Sequence, residues 1–124
     1  ANNYGVLAAL QLAQHEVDQK DFAKAEHQLA WAQGQAKDEN LKSLIDLRLA
    51  RVQLQENKLD DALKTLDLVK ATGWVAMAQD IRGDVLVKKG DVKGAREAYS
   101  KGLASDASQS LQALLRMKLN NLSN

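Results

Sequence analysis

The chain has 124 residues, 45% of them hydrophobic and 27% charged, with a formal net charge of +1 and no cysteine. A chain of that length makes one domain burying about 68% of its unfolded surface. Near-neutral charge argues against a dedicated nucleic-acid binder, no apolar run approaches the roughly 18 residues that span a bilayer, and disulfides and thiolate metal sites are excluded.

Tyr4 to Asp18 carries Leu7, Leu10, Ala13 and Val17 at helical spacing and breaks near Gln19 and Lys20. Asp21 is the predicted N-cap of a second helix through Phe22, Ala25, Leu29 and Ala32, ending between Gly34 and Asp38. The third pattern, Leu41 to Gln55, organises the chain. Its apolar residues Leu41, Leu44, Ile45, Leu49 and Val52 are extended around the cylinder by Leu47, Ala50 and Leu54. Only its Lys42, Asp46 and Gln53 edge reads as solvated, so neighbours are expected on more than one side.

A turn at Glu56, Asn57 and Lys58 leads to a fourth helix with Leu59, Ala62, Leu63, Leu66 and Val69, expected to stop before Thr72 and Gly73. Trp74 to Lys89 is a fifth pattern, stopped by Gly90. Asp91 caps a sixth with Val92, Ala95, Ala98, Tyr99 and Leu103, and Ser108 or Ser110 opens a seventh with Leu111, Leu114, Leu115, Leu119 and Leu122. No segment alternates as a strand would, and the chain reads as all-α.

The helices repeat. Phe22-Ala25-Leu29, Leu59-Ala62-Leu66 and Val92-Ala95-Tyr99 share one spacing, in steps of 37 and then 33 residues. Nine residues before each first member stands a small residue, Ala13, Ala50 and Gly83. Small side chains on both helices of a pair let the backbones approach while large ones fill the groove beside them. The steps lie close to the period of about 34 residues of tetratricopeptide repeats. The expected fold is a tetratricopeptide-like right-handed helical solenoid. It would form a single domain over 1–124, with helix pairs at about 4–36, 41–71 and 74–105 and a capping helix at about 108–122. The repeats are degenerate: the family's Trp position holds Ala9, Asp46 and Gln79, and the chain has no proline.

A closer resemblance lies in Asp38-Glu39-Asn40-Leu41-Lys42, Leu47-Arg48-Leu49-Ala50-Arg51-Val52, Ala62-Leu63-Lys64-Thr65-Leu66, Gly73-Trp74, the Leu86 to Asp91 segment and Met117-Lys118-Leu119-Asn120-Asn121-Leu122. In these the chain resembles the YfgM family, the tetratricopeptide-like ancillary subunits of the bacterial SecYEG translocon. The resemblance implies a periplasmic repeat domain on the inner membrane, behind an N-terminal transmembrane anchor that this chain lacks. It implies a scaffold that binds the translocon and a membrane-anchored chaperone of the prolyl-isomerase type, and that helps pass exported polypeptides to periplasmic chaperones. A repeat adaptor unrelated to export and an oligomerisation module built on the leucines of the seventh helix are the alternatives.

No motif reads as catalytic, and no cofactor or metal is expected. Arg82-Gly83-Asp84 spells an adhesion tripeptide but falls inside a predicted helix, with Gly83 at the small packing position. His15 and His27 lie on different helices without metal-ligand spacing. Asp60, Asp61 and Glu39 stand near helix starts, where carboxylates complement the dipole. No nucleophile elbow or phosphate loop is present, and an enzyme is not expected.

The expected site is instead a partner-binding groove on the first helix of each pair. By register it falls on Leu7, Leu10 and Gln14, then Leu44, Leu47 and Arg51, then Met77, Asp80 and Asp84. This surface reads as apolar at one end and acidic at the other, suited to an extended or helical peptide. The Lys, Asn and Arg cluster of a carboxylate clamp is absent from these positions. Arg48, in the stripe of Leu41, Ile45 and Val52, is expected to pair with Asp80, Asp84 or Asp46, because an unpaired buried charge is costly. The packing positions are Ala13, Ala25, Ala50, Ala62, Gly83 and Ala95.

Overall fold

The computed structural model describes residues 3–122. Seven α-helices follow one another: α1 Asn3–Asp18, α2 Phe22–Gln35, α3 Glu39–Gln55, α4 Leu59–Leu66, α5 Val75–Lys89, α6 Val92–Ala104 and α7 Gln109–Asn121. A 3-10 turn at Thr72–Trp74 precedes α5. No strand is found among the described residues.

Capping chemistry sets most of the helix starts. Asp21, Asp38, Asp91 and Ser108 each turn a side-chain oxygen onto a free backbone N–H of the first turn. The turn inside each pair repeats as well. Lys20, Asn57 and Gly90 are left-handed, with φ of 61°, 62° and 86°, and each stands two residues before the repeat's first large residue. Lys58 is the exception among the N-caps of the second helices: it makes no side-chain cap. Its ammonium instead reaches Glu26 of α2 at 2.7 Å and Glu56 at 3.7 Å, tying the second pair to the first.

Each helix packs on the next, and the first helices of the second and third pairs, α3 and α5, also touch. The core accordingly comes in three successive clusters. Val6, Leu29, Ile45 and Val52 belong to the first, Leu47, Leu66, Ile81 and Val85 to the second, and Tyr99 and Leu115 to the third. Five of the six predicted packing positions, Ala13, Ala25, Ala50, Ala62 and Ala95, are no more than 2% exposed. At the sixth, Gly83 is buried and a methyl group added there would overlap the Tyr99 ring. The adhesion tripeptide is therefore a packing surface, since its glycine is pressed against α6.

Two local expectations change. The Asp46 and Gln53 edge of α3 is buried, at 2% and 8% exposure, while Lys42 is half-buried. A helix in the middle of a stack has neighbours on most sides, so the polar residues that face them must be satisfied there. Asp46 accepts from Gln33 Nε2 of α2 at 2.6 Å, and Gln53 Oε1 accepts from the Thr65 hydroxyl of α4 at 2.7 Å. The fourth helix also ends earlier than its pattern implies. α4 stops at Leu66, and Leu68 and Val69 continue in tight turns bonded to the Thr65 and Leu66 carbonyls. Val69 stays buried while Leu68 is exposed.

Candidate functional site

An open groove of about 300 Å³ lies along the first helices of the pairs. Its floor is apolar: Ala13 and Val17 of α1, Phe22 and Leu29 of α2, and Val52 and Leu54 of α3. Gln14, Arg48, Arg51, Gln55 and Asp84 supply the polar wall.

Of the nine residues expected to form a groove, Gln14, Arg51 and Asp84 are brought together here. They are equivalent in the three repeats, separated by the same 37 and 33 residues as the packing positions. The others lie elsewhere. Leu10 and Leu47 are buried at 5% and 3% exposure in the first and second core clusters. They hold the pairs together and do not line the groove. Leu44 is half-buried, whereas Leu7 and Met77 are exposed away from the groove lining. Asp80 is buried at 2% exposure.

The groove therefore sits one turn further along each first helix than expected. Val17 and Leu54 are themselves repeat equivalents, so the register carried the signal once shifted by that turn. Arg48 belongs to the lining, and among the described residues it makes no ion pair. The pairing expected of it is distributed over other side chains. Arg51 meets Asp80 at 4.0 Å, and Asp46 is taken by Gln33.

The acidic end is closed by α7. Lys118 reaches from that helix to Asp80 at 2.7 Å and Asp84 at 3.0 Å. The Tyr99 hydroxyl of α6 donates to Asp84 at 2.6 Å, and the ammonium stands 5.9 Å from the centre of the Tyr99 ring. Burial pulls the Lys118 pKa down, but the bonds to both carboxylates and their charge outweigh it and leave it raised. Burial, followed by the bond to Asp84 and the nearby negative charge, raises the Tyr99 phenol. Both groups keep their protons at neutral pH. The arrangement positions and holds charge, with no nucleophile set beside a base.

A second, shallow hollow of about 420 Å³ lies on the outer face of the first pair, where Gly5, Ala8 and Leu12 face His27 and Trp31. Leu12 and Trp31 are 44% and 43% exposed there. The leucines of α7 have a different place: Leu115 is fully buried and Leu111, Leu119 and Leu122 pack around it, leaving Leu114 and Met117 outward.

Paired antiparallel helices, small residues at the crossing points and a groove on the first helices define a tetratricopeptide-like solenoid. The chain belongs to the tetratricopeptide repeat-like domain family, whose model matches residues 1–124. Among individual proteins it is similar to the ancillary SecYEG translocon subunit of Escherichia coli, at 50% identity over 122 residues, which are 98% of this chain and 59% of that protein. It is similar to the ancillary SecYEG translocon subunit of Haemophilus influenzae at 40% identity, over 96% of this chain and 58% of that one. The corresponding subunit of Buchnera aphidicola from Schizaphis graminum is 31% identical, over 98% of this chain and 62% of its own length. The chain thus spans about three fifths of the length of the relatives it matches.

Proposed function

We propose that this chain is a non-catalytic protein–protein interaction scaffold, the repeat domain of an ancillary translocon subunit that works beside SecYEG at the periplasmic face of the inner membrane. Its partners are the translocon, a membrane-anchored chaperone of the prolyl-isomerase type and, through them, newly exported polypeptides. The groove built from repeat-equivalent residues of successive first helices carries the interaction reading. The translocon reading is supported by the names of relatives that match nearly the whole chain. An apolar floor with a few placed charges suits peptide recognition, in which buried side chains give affinity and charges fix orientation.

The test is capture from detergent-solubilised inner membranes on the immobilised 124-residue chain, beside the full-length anchored protein and an unrelated tetratricopeptide-like domain. Recovery of SecYEG and the chaperone on this chain above the unrelated domain places the recognition surface within it. Recovery on the anchored protein alone moves recognition elsewhere and defeats the proposal for this domain.

A further inference from the structure

The charge on the groove is opposite to that of the residues that stand out along the first helices. Asp80 and Asp84 are the groove's acidic neighbours, and both are spent. Asp80 is buried and shared between Lys118 at 2.7 Å and Arg51 at 4.0 Å. Asp84 accepts from Tyr99 and Lys118. The negative charge of both carboxylates is thus already paired within the domain.

The cations are differently placed. Arg48 and Arg51 stand three residues apart on α3 and therefore share a face. Arg48 has no ion pair among the described residues. Arg51 keeps 54% of its side chain exposed, and its one carboxylate contact is long and already shared with Lys118. Two guanidinium groups with unused donors thus border an apolar floor. Guanidinium matches a carboxylate through paired N–H bonds, and the attraction strengthens as water is displaced from such a groove.

The groove is open, and its volume of about 300 Å³ has room for a few side chains of a segment laid along it.

We propose that the groove takes a peptide segment of a partner protein in which a carboxylate side chain stands beside a bulky apolar one. Arg48 and Arg51 hold the carboxylate while the apolar side chain packs on Val17, Phe22 and Leu54, the half-buried apolar residues of the lining. This rests on the groove being the interaction surface and adds the chemistry it selects.

A random nonapeptide library displayed on phage is panned on the wild-type chain, on Arg48→Glu/Arg51→Glu and on Arg48→Gln/Arg51→Gln. Circular dichroism checks that each variant is folded, and either one alone suffices for the comparison. Wild type is expected to enrich peptides with Asp or Glu next to Leu, Phe or Met. The Gln variant is expected to lose that acidic preference and the Glu variant to exchange it for Lys or Arg. Amidating the carboxylate of the best wild-type peptide weakens binding about tenfold or more, and added salt weakens the acidic peptide more than the amidated one. Neutral or basic peptides enriched on wild type, or the same acidic peptides on all three proteins, overturn the acid selection. If those peptides still shift the amide NMR signals of Val17, Val52 and Leu54, the groove itself stands. No enrichment over blank support, or signals shifting only outside the groove, overturns both.

Discussion

Asp46 shows how one buried polar side chain can cost stability and still be held in place. It occupies the position where the repeat family has a tryptophan, and the Gln33 amide donates to it across the α2–α3 boundary. Burial raises its pKa, an effect that the Gln33 bond and the Lys42 charge only partly offset. A carboxyl whose folded pKa is raised takes up protons more readily in the folded state, so folding is favoured as pH falls through that pKa. At neutral pH its charge is therefore a net cost. Asp46→Asn keeps the acceptor for Gln33 and removes the charge. We expect the variant to melt at a higher temperature than wild type at pH 7. The difference should shrink as pH is lowered toward about 4, where unfolded aspartate also takes up its proton. Thermal melts across that range check it, and a variant less stable at pH 7 would contradict the assignment.

Between helices, the left-handed residue of each intra-pair turn does the same job with three different side chains. Gly90 suits its φ of 86° and Asn57 tolerates 62°, while Lys20 adopts 61° with a Cβ in the way. Changing these residues should move stability in opposite directions. Gly90→Ala is expected to cost about 1–2 kcal/mol. Lys20→Gly should gain a smaller amount, about 0.5–1 kcal/mol, because glycine's greater freedom in the unfolded chain offsets part of the relief. Urea unfolding of both variants decides this, and equal signs would show that the turn conformations are not equivalent. Leu47 belongs to the same scale of argument: since it is core, Leu47→Ser would melt the domain early and would say nothing about partner binding.

At the level of the molecule, the core is serial, each cluster joining neighbouring helices. In such stacks stability is close to a sum of units and their interfaces. α7 ends the series with a fully buried Leu115 and with Lys118, the principal neutraliser of Asp80. Lys118→Met leaves a buried carboxylate with only the long contact to Arg51, and should cost about 3 kcal/mol or more. Adding Asp80→Asn should return part of that loss. Hydrogen exchange should show protection falling in α5 to α7 while α1 and α2 keep theirs. Uniform loss over all seven helices would mean that the stack unfolds as one unit. The opposite end is built differently. In α3 the residues Ile45, Asp46 and Leu49 are buried, with Asp46 bonded to α2. The same register on α1 includes Ala8 and Leu12, which face the open hollow beside Trp31.

Helix order, the N-caps Asp21, Asp91 and Ser108, the repeat spacing and the small packing residues were readable from the chain, because each shows as a residue type at a fixed spacing, whereas Asp38 was read as the end of α2 and caps α3. Gly83 illustrates this: its place in the spacing announced a close approach, and the Tyr99 ring fills it. The resemblance to translocon subunits was equally readable and is met by relatives that match nearly the whole chain. Which face of α3 would meet water was not. Asp46 and Gln53 look solvated in one dimension and are buried once α2 and α4 close on either side. Nor could the helical pattern divide Leu47 from Leu54, since both lie on an apolar helix and only the packing of α4 and α5 buries the first while the second stays half-buried in the groove lining. The charge of the site was decided furthest from the local pattern. Lys118 lies 38 and 34 residues beyond the carboxylates it satisfies, and folding α7 back onto α5 is what turns an acidic stripe into a groove bordered by two available arginines.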